Sequence, residues 1–196
     1  MFNDLSSPLA LLRTRRSGKP RDLIEPGPAP DELRQILEIA MRSPDHGKLH
    51  PWRFIHIPRG RRTAFAAVLD RAYRADNPDL GRLEIEANER FAHQAPELIV
   101  ALSCPVPGIK IPVWEQELSC GAACMNLVLA AHASGFAAGW VTGWAAYSPH
   151  VLAAFGNPPE RIAGFIFLGT PGVELEERPR PGYDTVVLEW NGESPL

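Results

Sequence analysis

Arg15-Arg16-Ser17-Gly18 sets two guanidinium groups, a hydroxyl and a flexible glycine amide side by side near the start of the chain. That combination suits a terminal phosphate, through charge-assisted and bidentate hydrogen bonds. On its own an Arg-Arg-Ser run also reads as solvated surface. A second polar stretch, Arg42 to Phe54 (RSPDHGKLHPWRF), joins a helix stop to a strand start and sets polar side chains beside a Trp. A third, Gly135 to Gly143 (GFAAGWVTG), has glycines that let backbone approach a flat ligand and free amides that can donate to it. His46 and His50 stand four apart, but Pro51 follows directly and no third ligand is evident, so no metal site is expected.

Other chemistries lack their signatures. The chain has no G-x-G-x-x-G after a strand, no G-x-x-x-x-G-K-[ST] and no G-x-S-x-G. Its three cysteines, Cys104, Cys120 and Cys124, form no C-x-x-C pair, which favours packed thiols in a reducing, cytoplasmic setting. No secretory-type N-terminus is read, in line with that setting. A net charge of −3 offers no global field for nucleic acid or a membrane surface.

The elements that must position these residues follow from local rules. Ser7-Pro8 is a helix cap followed by proline at the first helical position, opening a short helix to Arg13, and Ser148-Pro149 repeats the device. Gly18 to Pro30 reads as an extended loop. Helices are expected over Asp31–Arg42, Arg61–Arg74 and Leu80–His93, the last two separated by Asp76-Asn77-Pro78-Asp79. Strands are expected over Trp52–Ile57, Leu98–Cys104, Phe136–Thr142, Ile162–Leu168 and Asp184–Trp190.

Between Glu117 and Glu160 the chain carries no Asp, Glu, Lys or Arg. Its first part, Val113 to Ser134, is helical in pattern yet apolar or small on every face. Such a helix spans a membrane or is covered by protein all round. Asn126, His132 and several Gly and Ser residues interrupt the apolar run that a span requires. A deep core helix of a monomer is one alternative; a helix covered by its own domain on one side and a second subunit on the other accounts better for so much apolar surface. The sum is a single α+β domain, one mixed, largely antiparallel sheet with helices packed on it.

In this order the three polar segments resemble the nitroreductase family of FMN-dependent NAD(P)H oxidoreductases, in its short YdjA-like subgroup. The likeness also rests on W-E-Q-E-L-S-C-G from Trp114 to Gly121 and on the G-F-I-F-L-G-T-P strand, and it spans nearly the whole chain. It implies an intertwined homodimer over residues 1–196, with the segment from about 172 onward embracing the partner. It implies FMN as cofactor, its phosphate and ribityl chain held by Arg15, Arg16 and Ser17, with Arg180 (or Arg178) reaching the phosphate. Arg42 and His46 are similar to residues supplied by the second subunit. The backbone of Trp140, Val141, Thr142 and Gly143 would lie along the isoalloxazine ring, and the stretch Ser134, Gly135, Phe136, Ala137, Ala138 and Gly139 would meet NADH or NADPH. The implied reaction is ping-pong reduction of nitroaromatic, quinone or similar flat acceptors, with no side chain as catalytic acid. A flavin-binding dimer without turnover, dehalogenation and enone reduction are the alternatives. The chain departs from the pattern at His50, where the family has glutamine, and at Val141-Thr142, where the subgroup has Arg-Ser.

Overall fold

The computed structural model describes residues 2–77 and 82–192. Helix α1 (Pro8–Thr14) starts as its sequence requires, Ser7 Oγ accepting from the Ala10 amide at 3.1 Å. The expected loop that follows contains a tight turn over Pro20–Asp22 and a two-residue strand, β1 (Leu23–Ile24). Helix α2 (Pro30–Ala40) is entered with Glu32 reaching back to the Ala29 amide. Strand β2 (Trp52–His56), helix α3 (Arg62–Asp76) and helix α4 (Arg82–Ala92) come next. The expected break residues Pro78 and Asp79, and Leu80 at the expected helix start, lie outside the described residues.

Strand β3 (Glu97–Ser103), the long helix α5 (Val113–Ala133), β4 (Ala137–Val141), the short helices α6 (Trp144–Tyr147) and α7 (Pro149–Leu152), and β5 (Arg161–Pro171) complete the body. The Ser148-Pro149 cap is present at α7, with Ser148 Oγ accepting from Val151. The strand expected over Asp184–Trp190 is not formed: the segment holds one helical turn, α8 (Tyr183–Val186), and no strand follows it among the described residues. Its alternating pattern is strand-like, but a strand forms only where backbone pairs with a neighbouring strand, and alternation alone does not provide one.

The sheet is centred on β5, with β3 and then β2 on one side. On the other side β4 pairs with Phe165–Gly169 and β1 with Thr170–Pro171, and every pairing is antiparallel. Alternation along the strands splits the core in two. Leu98, Val100, Leu102, Phe165 and Phe167 face α3, α4, α6 and α7. Ile99, Ala101, Ile166 and Leu168 face α2 and α5.

One buried charge ties the first of these layers together. Arg62 is 1% exposed and donates to the carbonyls of Ile57, Ala92, Gln94 and Pro96 at 2.8–3.1 Å. It thus joins the end of β2 to the α4–β3 connection. Arg62→Met leaves four buried carbonyls without donors and destabilises the fold by roughly 3 kcal/mol or more. Arg62→Lys keeps the charge but not the planar fork, and recovers only part of that loss. Urea denaturation of the two variants measures both.

Candidate functional site

The end of α1 delivers Arg15, Arg16 and Ser17 to one edge of the sheet. The loop is fixed by close backbone approach: a Cβ on Gly139 of β4 would come within 2.5 Å of the Gly18 carbonyl oxygen. Glycine at 139 therefore allows the Arg-Arg-Ser-Gly loop to lie on β4. Arg15 is half-buried and donates to Ser17 Oγ at 3.2 Å. Burial, and then the like charges of Arg180 and Arg16, hold its guanidinium below the usual arginine range. No carboxylate pairs with Arg15 among the described residues.

The chain from 173 to 180 crosses over this cluster. The Glu176 carbonyl accepts from Arg16 Nε at 2.5 Å, and the Glu176 carboxylate meets Lys19 Nζ at 3.1 Å. Glu177 lies 3.9 Å from Arg16 and 3.8 Å from Arg180. A small cavity of about 60 Å³ remains between Arg16–Lys19 and residues 173–176. Converging cations with donors to spare fit a phosphate monoester, so Arg15, Arg16, Ser17 and Arg180 are the residues here that could hold one.

Beyond Gly139, strand β4 runs out to Trp140, Val141, Thr142 and Gly143, the last with φ 134°. A bulge at Ala163 turns that carbonyl toward Trp140, whose Nε1 donates to it at 3.1 Å. Gly164 sits beneath at φ 152°, where a Cβ would strike the Val141 carbonyl oxygen at 2.9 Å. Trp140, Thr142 and Gly143 remain exposed. Trp140 also borders an open cleft of about 650 Å³ reaching across to Glu117 and Gly121 of α5. The stretch 134–139 is less available than its sequence suggests. Ala137, Ala138 and Gly139 are buried in the sheet, leaving Ser134, Gly135 and part of Phe136 to meet a ligand.

Arg42 and His46 lie apart from this cluster, both exposed, with no hydrogen bond or ion pair linking them to Arg15–Ser17 among the described residues. Both are pinned to α5. Asn126 Nδ2 donates to the Arg42 carbonyl and to Ser43 Oγ, Ser119 donates to the Pro44 carbonyl, and Glu115 meets His46 Nδ1 at 2.7 Å. The loop between them is held by Asp45, which accepts from the Leu49 and His50 amides at 3.0 and 2.9 Å. Gly47, Lys48 and His50 all adopt positive φ there. The Asp45 bonds span four and five residues, longer than the two-residue reach of an Asx-turn, so no local rule predicts them, and the α5 partners Glu115, Ser119 and Asn126 come from a distant segment. Along the same side of α5, Trp114 and Leu118 are exposed and Gly121, Ala122, Met125 and Leu129 partly so, an apolar stripe at helical spacing.

Sequence reasoning also missed His132 near the other end of α5. It is fully buried, and neither ring nitrogen has a hydrogen-bond partner among the described residues. Burial, and then the charge of Arg15, push its pKa down to about 4. The thiols are packed groups. Burial holds Cys104 up at about 12, and Cys120 and Cys124 are buried neighbours on α5. No group of three or more His, Cys, Asp or Glu is placed to hold a metal, and no helix is long and apolar enough to cross a membrane, among the described residues.

A five-stranded antiparallel sheet between two helical layers, with an arginine-rich loop against one edge strand, places the chain among α+β proteins with solved members. The sequence profile of the Nitroreductase family matches residues 12–170, and the chain belongs to that family. Two relatives bear the name "Putative NAD(P)H nitroreductase". YdjA of Escherichia coli strain K12 is 39% identical over 164 residues, covering 83% of this chain and 87% of YdjA. The Haemophilus influenzae protein is 39% identical over 172 residues, 87% and 91% of the respective chains. Among solved structures, a nitroreductase-like family protein from Bacillus cereus superposes with a TM-score of 0.79 at 21% identity, over 95% of this chain and 97% of that one. A nitroreductase with bound FMN from Bacteroides fragilis gives 0.67 at 21% identity, over 92% and 98%. These two show the fold.

The orphaned imidazole makes stability depend on pH. In the unfolded chain His132 takes up a proton near pH 6.5, whereas in the fold it resists until about pH 4. The unfolded state therefore binds more protons within that window, and stability falls as pH drops through it, then levels off. The full difference is about 3 kcal/mol. Denaturation midpoints across this range fall less steeply for His132→Phe than for the natural chain; parallel curves for the two proteins would show that His132 is protonated in the fold.

Proposed function

We propose that the chain is an FMN-dependent oxidoreductase that takes hydride from NADH or NADPH by a ping-pong mechanism and passes it to nitroaromatic, quinone or similar flat acceptors. The observation that carries this reading is the convergence of Arg15, Arg16 and Arg180 with Ser17, beside backbone that Gly139 lets approach closely. Family membership and relatives named as NAD(P)H nitroreductases support it. Bound FMN supplies the hydride chemistry. Arg15, Arg16, Ser17 and Arg180 hold its phosphate, and the backbone at Trp140, Val141, Thr142 and Gly143 orients its ring. Ser134, Gly135 and Phe136 form the accessible part of the nicotinamide contact. The three free thiols suit a cytoplasmic setting.

The working unit on this reading is a homodimer. The open stripe of α5 is covered by a second copy, which brings Arg42 and His46 of each subunit toward the site of the other. The tail beyond residue 172 serves the same union. Tyr183, Val186 and Leu188 are exposed in their own subunit. A groove of about 410 Å³, lined by Leu33, Leu37 and Met41 beside the His56 end of β2, suits such a segment from the partner.

Two variants separate the anchor from the interface. Arg15→Ala with Arg16→Ala yields a colourless dimer, because only the phosphate hold is lost. Leu118→Asp spares the buried face of α5 and yields a monomer in size-exclusion chromatography, with flavin lost as well. The natural protein is yellow, bleached by anaerobic NADH or NADPH and recoloured by a nitroaromatic or quinone. Colour without bleaching would make it a flavin-binding protein without this turnover, and a chain that takes up no FMN would overturn the proposal.

A further inference from the structure

The carboxylate of Glu177 sits between two of the guanidinium groups that the phosphate anchor uses, 3.9 Å from Arg16 and 3.8 Å from Arg180. Both distances exceed a direct hydrogen bond, so the contact is coulombic. The two sides of the pair are unequally placed. The Arg16 side chain is 19% exposed and additionally bonded to the Glu176 carbonyl, while the Glu177 side chain is 65% exposed. The arginine is fixed, whereas the carboxylate is held directly only by its own turn, accepting from the Arg178 amide at 2.7 Å, and can leave the arginines when that local bond rearranges. Glu177 thus offers one negative charge where the anchor is built to receive about two, from a phosphate monoester with its several acceptor oxygens.

We propose that Glu177 competes with the cofactor phosphate for Arg16 and Arg180, and so sets how strongly this chain prefers FMN to its dephosphorylated form, riboflavin. The inference rests on the anchor assigned under Proposed function. Without a phosphate, Glu177 relieves the repulsion among Arg15, Arg16 and Arg180. When a phosphate arrives, the carboxylate is a like charge at close range and must swing out. Its attraction for the arginines then counts against binding. Glu176 differs: its carboxylate pairs with Lys19, and its hold on Arg16 is through backbone.

The test is titration of the apo-dimer with FMN and, separately, with riboflavin, each followed by quenching of flavin fluorescence in phosphate-free buffer. Glu177→Gln tightens FMN binding roughly three- to tenfold, the range expected for releasing exposed ion pairs. It leaves riboflavin binding unchanged, and the gain shrinks with added salt. Glu89→Gln on α4 makes the same change in net charge away from the cluster and shifts neither ligand. Unchanged or weaker FMN binding by Glu177→Gln overturns the proposal, as does an equal gain for riboflavin. The Arg15→Ala, Arg16→Ala protein separates the two claims. If it loses FMN while Glu177→Gln has no effect, the anchor stands and the role of Glu177 falls; if it keeps FMN, the anchor itself is wrong.

Discussion

A helix that is apolar or small on every face has to be shielded from water on two sides, and α5 is such a helix. Its own subunit supplies one side, where Cys120, Ala123, Cys124, Leu127 and Val128 pack on α2 and the sheet. The opposite stripe, from Trp114 and Leu118 to Met125 and Leu129, is left partly or wholly open. Burying one large apolar side chain is worth roughly 1.5–3 kcal/mol, so covering the stripe is a strong driving force. The same helix fixes the polar loop at its rim: Glu115 holds His46, Ser119 holds Pro44 and Asn126 holds the Arg42–Ser43 turn. Whatever covers the stripe is thereby presented with Arg42 and His46.

Two arginines in this chain have depressed pKa values, and the contrast between them separates structure from site. Arg62 is the more deeply buried, and its donors are spent on four backbone carbonyls. Four of its five donors are taken and the group is 1% exposed, so no ligand reaches it, and its work is to join two segments of chain. Arg15 is only half-buried, stands beside two like charges and makes one hydrogen bond, to Ser17. A cluster of cations is costly to assemble without an anion to share. Glu176 and Glu177 share the charge of Arg16, Lys19 and Arg180 but not that of Arg15, and that spare guanidinium favours the proposed anchor.

How much of this was legible in the sequence varied with the range of the interaction. Ser7-Pro8 and Ser148-Pro149 begin helices because cap and proline act within one turn, and α5 runs nearly the bounds its composition suggests. The proposed anchor is a residue set in the sequence but not a place. Its position depends on Gly139 meeting Gly18, a contact between distant segments. Glu177 and His132 carry no sequence signal at all, since each matters only for what lies across from it. The segment 184–190 shows the opposite error. Its alternation is a local strand pattern, but pairing is not local, and the segment takes no place in the sheet.

Five shifted titratable groups bear on what the protein contributes to chemistry. Asp4, Asp76 and Glu160 are held below the usual carboxylate range, Cys104 is held up at about 12, and His132 is pushed down to about 4. Each of these groups keeps one charge state across neutral pH, so none is tuned as a proton donor or acceptor there. A chain of this kind acts by placing a cofactor and setting the field around it. On the proposed reading, that field has an unusual source. With valine and threonine at 141 and 142, no cation stands on the strand beside the flavin ring, and the phosphate anchor lies at the far end of the cofactor. Positive charge near the ring then comes from Arg161, which lines the same cleft as Trp140, and across the interface from Arg42 of the second copy, so reactivity as well as affinity responds to the two subunits meeting over α5.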